Sequence, residues 1–256
     1  MRGMGTQPRP VGRKRERRRA TSAGTRATSG GAGRWRAVIT IDGPAAAGKS
    51  TVACELARRL GYRLIDTGAL YRGVAWRVRE AGVDPEDREA LGRLVAETTI
   101  DLRDGIVLIN GRDVTGEIRS AEVGELASRL AALPAVREKV TPIQRRLAAA
   151  GGAVLEGRDT GSVVCPGAEV KFYLDASPEV RASRRQRELA ERGIAADPEA
   201  VRSEIVRRDR QDRERTLAPL VIPDGAMVID STGKSVEEVV RLMLEAVERL
   251  GCCTRS

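Results

Sequence analysis

Residues 43–50 read Gly-Pro-Ala-Ala-Ala-Gly-Lys-Ser, and this segment constrains the fold more than any other feature of the chain. It matches the pattern G-x-x-x-x-G-K-[ST] at every fixed position. A β-branched run at 38–41 precedes it, and a helical stretch at 51–60 follows it. In this strand–loop–helix context the pattern forms a phosphate-binding loop, or P-loop. The sequence therefore predicts an α/β fold around a nucleoside triphosphate site.

The residue types of the P-loop suit the binding of phosphate. Glycines let the backbone curl so that successive N–H groups point at an anion, and the helix start adds partial positive charge. Lys49 can reach the β- and γ-phosphates, and the Ser50 hydroxyl can hold Mg²⁺. The residues expected to bind the triphosphate are Gly43, Pro44, Ala45, Ala46, Ala47, Gly48, Lys49, Ser50 and Thr51.

The positive charge of the chain is concentrated at the N-terminus. The 256 residues carry a formal net charge of +9. The first 36 hold eleven Arg or Lys and one acid, Glu16, which leaves 34 cations against 35 acids. Residues 1–35 are therefore predicted to be a disordered basic tail. The tail could bind nucleic acid, resemble a transit segment or reflect a wrongly chosen start codon. We favour an inert or artefactual tail, and we expect no obligatory nucleic-acid partner because the rest is nearly neutral.

Cysteine and hydropathy patterns indicate the compartment. The four cysteines, Cys54, Cys165, Cys252 and Cys253, have no metal-ligand spacing, and the chain has no His, so a zinc site is not expected. A reducing cytoplasm fits best. No apolar run approaches the length of a membrane span, and no apolar segment follows the basic N-terminus as in a secretory signal.

Strand and helix patterns alternate from residue 36 onward, which predicts a parallel sheet flanked by helices. Asp104-Gly105 and Asn110-Gly111 separate three short strands and predict an antiparallel insertion. Strands are predicted at 38–41, 63–65, 100–103, 106–109, 112–114, 153–155, 170–174 and 227–229, and helices at 48–60, 69–81, 85–97, 121–131, 135–150, 178–192, 198–213 and 236–250.

Polar residues follow each predicted parallel strand, at the edge where open α/β sheets bind ligands. They occupy 66–72, 156–161, 175–177 and 230–233. Ordinary helix capping explains the segments at 175–177 and 230–232. Capping does not explain the Arg158-Asp159 pair, so these two residues are candidates for ligand binding.

Arginines on two neighbouring helices predict a lid over a triphosphate. Arg208, Asp212 and Arg215 share one helix face at i, i+4 and i+7. Arg184 and Arg185 lie on the preceding helix, and a segment containing Gly193 connects the two helices. A solvated helix with ion pairs is the commoner origin of such a run, but planar guanidinium groups also suit phosphate. With no His as a base, the sequence favours an acceptor phosphate, which is already an anionic nucleophile.

The chain resembles bacterial cytidylate kinases, a family of P-loop nucleoside monophosphate kinases. The resemblance spans residues 38–250, and the whole set of motifs in this order is highly specific. The matching segments are 39–50, 66–72, 113–119, 156–159, 172–177 and 208–220. The resemblance implies a domain at 36–250 with a monophosphate-binding insertion at 67–150, a helical lid at 178–215 and a C-terminal tail at 251–256. We expect a cytoplasmic monomer.

The resemblance also implies the reaction and the roles of side chains. Its members transfer the γ-phosphoryl group of ATP to CMP or dCMP with Mg²⁺. The implied catalytic residues are Lys49, Arg158, Arg184 and Arg215; Arg184 and Arg185 join the P-loop in binding ATP, and Ser50 holds the metal. The implied CMP-binding residues are Asp66, Thr67, Arg72, Arg119, Ser128, Arg137, Arg158, Asp159, Arg208, Asp212 and Arg215. A carboxylate at Asp159 can accept from the cytosine N4 amine.

Two alternatives remain open at this stage. A small P-loop kinase with a hydroxyl acceptor, such as dephospho-coenzyme A or shikimate, would need a base, and the 156–159 segment and the hairpin insertion argue against it. A nucleic-acid-binding ATPase would need basic grooves in the folded domain. The family varies at the position of Ser50 and includes Gly there.

Overall fold

Five parallel strands form the central sheet of the computed structural model, which describes residues 36–253. The strands are β1 (Val38–Asp42), β2 (Arg63–Asp66), β6 (Ala153–Gly157), β7 (Val170–Asp175) and β8 (Met227–Asp230), and their order is β2-β6-β1-β7-β8. Ile41 in β1 lies opposite Glu156 in β6 and Phe172 in β7. This register aligns the carboxyl ends of the central strands. The predicted basic tail, residues 1–35, lies outside the described residues.

Eight α-helices accompany the sheet within residues 36–253. They are α1 (Lys49–Leu60), α2 (Thr67–Glu80), α3 (Arg88–Glu97), α4 (Ala121–Leu130), α5 (Pro134–Ala148), α6 (Pro178–Glu191), α7 (Pro198–Glu214) and α8 (Val236–Cys253). Side-chain caps start several of them, as when Asp66 accepts from the Ala69 amide. Gly61, with φ 65°, ends α1 in the left-handed conformation.

Two aliphatic clusters form the main core. One joins α1 and α8 to the sheet and includes Leu56, Phe172 and Met243. The other packs α2–α5 and the insertion and includes Leu70 and Leu155. Phe172, the single phenylalanine, is fully buried. The parallel sheet flanked by helices confirms the predicted fold class.

The insertion is a three-stranded antiparallel sheet, also as predicted. It contains β3 (Ile100–Arg103), β4 (Ile106–Ile109) and β5 (Arg112–Asp113). Both residues of each tight turn have positive φ: 50° and 81° at Asp104-Gly105, and 50° and 80° at Asn110-Gly111. Paired positive φ values match the twist of the flanking strands, which is why these dipeptides predict hairpins.

Several boundaries differ from the sequence-based expectations. Helix α3 begins at Arg88 rather than 85, because Asp87 accepts from the Ala90 amide and caps it. Helix α8 continues to Cys253 instead of ending at 250, and residues 254–256 of the predicted C-terminal tail lie outside the described residues. A 3-10 helix at Glu117–Arg119 and a π-helical turn at Thr160–Val164 were not predicted. No helix within residues 36–253 is long and apolar enough to cross a membrane.

Candidate active site

The P-loop connects β1 to α1 through two backbone positions that require glycine. Gly43 has φ 151°, and a Cβ added there would lie 2.0 Å from the Leu174 carbonyl oxygen. Gly48 has φ 93° and immediately precedes α1. The loop therefore packs directly on the end of β7, and its last residues lead into the first turn of the helix, whose free N–H groups suit an anion.

Lys49 and Glu156 are buried close to each other at this edge of the sheet. The Lys49 ammonium donates to the Pro44 carbonyl at 2.6 Å. Burial and the nearby Arg158 guanidinium lower the pKa of Lys49, and Glu156 acts in the opposite sense. Burial and Asp66 raise the pKa of Glu156, and Lys49 opposes that shift. The two groups therefore compensate each other's charge beside the P-loop.

The donor set beside the P-loop suits Mg²⁺. The exposed Ser50 donates its hydroxyl to Glu156 Oε2 at 2.8 Å, which places a hydroxyl and a carboxylate oxygen together. Mg²⁺ is commonly held by one or two protein oxygens together with substrate phosphates and water. Among the residues that the structure describes, no group of three His, Cys, Asp or Glu side chains could hold a metal by itself. The site therefore fits a metal shared with a phosphate.

A cavity of about 80 Å³ is lined by most of the predicted acceptor residues. Some of them follow closely after Glu156 in the chain. The cavity is formed where α2, α4 and α7 meet the segment after β6. The predicted residues that line it are Thr67, Arg72, Ser128, Arg158, Asp159, Arg208, Asp212 and Arg215. Tyr71, Gly68, Gly157, Ala127 and Ala131 line it as well.

Helix α7 is attached to the end of β6 by buried ion pairs. Arg158 Nε donates to Asp212 Oδ2 at 2.8 Å. Arg215 Nη1 lies 3.9 Å from Asp212 Oδ1, and Arg215 Nε donates to the Ala218 carbonyl at 2.5 Å. Burial raises the pKa of the Asp212 carboxyl, but the nearby Arg158 and Arg215 lower it by more, so the net shift is downward. The predicted i, i+4, i+7 face of α7 is therefore the face that meets the cavity.

Asp159 is buried between two arginines. Its Oδ2 accepts from Arg137, and its Oδ1 lies 3.6 Å from Arg215 Nη2. The Arg137 guanidinium also lies 5.8 Å from the centre of the Tyr71 ring. The two arginines hold the Asp159 carboxylate in one orientation at the cavity wall.

Several buried donors of the cavity have no hydrogen-bond partner among residues 36–253, and these include Ser128 Oγ, Arg208 Nε and Arg215 Nη2. Buried polar groups are normally paired, so unpaired donors in a cavity point to a ligand rich in acceptors. Burial and the neighbouring Arg158 lower the pKa of Arg208 to about 10, which still leaves it cationic at neutral pH. The cavity thus suits an anion with oxygen acceptors.

The predicted residues make further contacts with one another and with the backbone. Asp66 caps α2, and Thr67 donates its hydroxyl to the Glu156 carbonyl at 2.6 Å. Arg72 donates to the Ile118 carbonyl at 3.2 Å. Arg185 pairs with Glu188 at 2.9 Å. Arg119 is exposed and is not among the residues that line the cavity.

Arg184 contacts the P-loop and the end of β8. It donates to the Ala47 carbonyl at 3.1 Å and to the Ser231 hydroxyl at 2.9 Å. Capping had been expected for 230–232, and that interpretation is wrong for Ser231, whose hydroxyl donates to the Asp175 carbonyl at 2.9 Å. Helix α8 is capped later, by Ser235 and Glu238. The capping expected at 175–177 is confirmed, since Ser177 caps α6.

Sequence reasoning did not select several residues that build the site. Asp42 accepts from the Thr160 and Gly161 amides at 2.8 and 2.7 Å and so fixes the turn after Asp159. Arg181 and Asp209 hold the backbone of Ala45. Glu156 could have been selected, because it directly follows the apolar part of β6. The others carry no local signal, since their partners lie far away in the chain.

Comparisons with known proteins agree with this geometry. The family model of cytidylate kinase matches residues 39–249. The cytidylate kinase of Geobacillus kaustophilus is 50% identical over 221 residues, covering 84% of this chain and 99% of that protein. The cytidylate kinase of Pelotomaculum thermopropionicum is 48% identical over 214 residues, covering 82% and 95%.

A solved structure of an uncharacterized protein from Eubacterium ventriosum has a TM-score of 0.50 at 11% identity, covering 84% of this chain and 99% of that one, and shows similarity of fold alone. The family assignment instead depends on the sequence matches, which extend over nearly the whole chain beyond residue 38 and include the P-loop and the residues of the cavity. This chain belongs to the cytidylate kinase family.

Proposed function

We propose that the P-loop and the arginine-lined cavity are the donor and acceptor sites of one reaction, in which the γ-phosphoryl group of ATP passes to CMP or dCMP. The products are ADP and CDP or dCDP. The observation that carries this proposal is the adjacency of two anion sites: Glu156 contacts Ser50 of the P-loop, and Arg158 and Asp159 line the cavity. Membership of the cytidylate kinase family supports the choice of substrates.

The donor site is proposed to comprise residues 43–51 with Arg184 and Arg185. The free N–H groups at the start of α1 and the Lys49 ammonium would bind the phosphates of ATP. Arg184 already lies against the loop, with Nη1 3.5 Å from where a Cβ on Gly48 would stand. Little covalent chemistry is required of the protein in phosphoryl transfer, so alignment and positive charge would supply most of the rate.

The acceptor site is proposed to bind the monophosphate through Arg72, Arg158 and Arg215, with Thr67 beside them. Arg208 and Asp212 would contact the sugar, and Ser128, Arg137 and Asp159 would recognise the base. A carboxylate can accept from the N4 amine of cytosine but meets an acceptor at the same place in uracil. The acceptor phosphate oxygen is the nucleophile, so no histidine base is needed.

Mg²⁺ is proposed to bind through Ser50 and Glu156, and it would neutralise charge on the transferred phosphoryl group. We further propose that residues 36–250 form the kinase domain and that the insertion at residues 67–150 closes over CMP. Helices α6 and α7 would close as a lid that excludes water. We also propose a cytoplasmic, monomeric enzyme with no obligatory nucleic-acid partner, in keeping with the nearly neutral charge of residues 37–256.

An acceptor screen tests this function. The full chain is incubated with ATP and Mg²⁺ together with CMP, dCMP, UMP, AMP, GMP or shikimate, and products are separated by anion-exchange chromatography. We expect CDP and dCDP to form fastest, with one ADP for each. Phosphorylation of shikimate, or ATP hydrolysis with no phosphorylated acceptor, would contradict the proposal.

A further inference from the structure

The lid helices are joined at their base by a buried ion pair. Arg181 lies in the first turn of α6, and Asp209 lies in α7. Arg181 Nη1 is 2.5 Å from Asp209 Oδ2, and each side chain is only 5% exposed. Neither residue lines the acceptor cavity. The pair therefore has a role separate from contact with the monophosphate.

Both members of the pair hold the same residue of the P-loop. Asp209 Oδ1 accepts from the Ala45 amide at 3.2 Å, and Arg181 Nη1 donates to the Ala45 carbonyl at 3.1 Å. Arg181 Nε also donates to the Ala176 carbonyl at 3.0 Å, which fixes the guanidinium from the other side. The N–H and C=O of one loop residue are thus both held by side chains from outside the loop.

The next residue of the loop shows why such restraint matters. Ala46 has φ 58°, in the left-handed region that a residue with a Cβ rarely adopts. Such a conformation persists only where the surroundings hold it. Holding the Ala45 carbonyl fixes the peptide plane that leads into Ala46, and with it the direction of the Ala46 amide. One turn along α6, Arg184 holds the Ala47 carbonyl in the same way.

Stability alone is a weak reason for this arrangement. Replacing a buried ion pair by apolar side chains is often neutral or stabilising, because burying charge is costly. The contact between α6 and α7 also has its own apolar cluster of Leu189, Val201 and Ile205. An ion pair does what apolar side chains cannot, which is to orient a donor and an acceptor of the loop backbone at once.

We infer that Arg181 and Asp209 are positioning residues that set the P-loop in the conformation that binds the phosphates of ATP. The inference rests on the proposed role of the P-loop as the ATP site. Neither residue touches the phosphates. Each acts through Ala45, and together they connect the lid helices to the donor loop.

The test replaces the pair in two ways in the full chain. Asp209→Asn removes one charge, and the double variant Arg181→Met with Asp209→Leu removes both while keeping apolar bulk. KM for ATP, KM for CMP, kcat and Tm are measured, together with the Kd of a non-hydrolysable ATP analogue by calorimetry. We expect KM and Kd for the ATP ligand to rise about tenfold in each, the scale of a lost charge-assisted hydrogen bond, with little change in KM for CMP. Asp224→Asn, at an exposed loop position, serves as the matched control.

The double variant separates positioning from structure. If the ion pair only stabilised the fold, the apolar side chains would replace it, and the double variant would retain both its Tm and its affinity for ATP. This result would overturn the inference. A preserved Tm with weakened ATP binding supports it. If both variants fail to fold, Arg181→Lys provides the same test, because lysine keeps the positive charge but lacks the planar guanidinium group with its several donors. Unchanged ATP affinity of this variant would also overturn the inference. A wild-type chain that forms no CDP would instead contradict the proposed function.

Discussion

The Ser50 hydroxyl donates to Glu156 Oε2 at 2.8 Å, and this contact joins the first turn of α1 to the carboxyl end of β6. Through this hydrogen bond a P-loop side chain touches the segment that leads into the cavity. Glu156 is only 5% exposed, and its backbone carbonyl accepts from Thr67. One residue therefore has contacts with both proposed sites.

Glu156→Gln should raise the Mg²⁺ concentration that the reaction requires. Removing the charge of a residue at or next to a metal site costs about 10- to 100-fold in metal affinity. We expect the Mg²⁺ concentration for half-maximal rate to rise by this factor, measured at fixed ATP and CMP. Glu237→Gln, at an exposed position far along the chain, is the control. An unchanged Mg²⁺ profile would remove Glu156 from the metal site.

Asp159→Asn should reduce the preference for CMP over UMP by about 1–3 kcal/mol, the value of one directed base contact. The change is read from kcat/KM for the two acceptors in an ADP-release assay. Because Arg137 and Arg215 both face this carboxylate, the variant should also unfold at a lower temperature. An unchanged ratio of kcat/KM for CMP and UMP would show that Asp159 only pairs with the two arginines and does not recognise the base.

Gly43→Ala should destabilise the chain by about 3 kcal/mol or more, since backbone strain and a clash add together. The new Cβ would meet the Leu174 carbonyl oxygen at 2.0 Å, and backbone cannot move aside as a flexible side chain can. The free energy of unfolding in urea measures the effect. Gly167→Ala is the matched control, because a Cβ there meets nothing within 4 Å. Equal stabilities of the two variants would contradict the described packing of the loop on β7.

Removal of residues 1–35 should leave kcat and both KM values unchanged. All residues of the proposed donor and acceptor sites lie within the described part of the chain, from Gly43 to Arg215. The comparison is made by steady-state kinetics of the full chain and the shortened chain at the same salt concentration. A large fall in kcat would show that the basic tail takes part in the reaction.

Local patterns were sufficient for most of the architecture. The two hairpin turns were predicted from Asp104-Gly105 and Asn110-Gly111, because the φ values that a tight turn requires are a property of two adjacent residues. The helix face of Arg208, Asp212 and Arg215 was predicted from spacing alone, for the same reason. The π-helical turn at Thr160–Val164 could not be predicted, because the Asp42 carboxylate that holds its first amides comes from another strand.

By itself, the sequence determined the P-loop, the order of strands and helices, the antiparallel insertion and the family. These depend on residue types within short windows, or on a series of motifs in one order. Only the tertiary structure decided which side chains share a partner. Ser50 meets Glu156 across 106 residues, and Asp209 holds Ala45 across 164. Such pairs form because the parallel strands bring their carboxyl ends to one edge of the sheet, a consequence of chain topology that no local pattern contains.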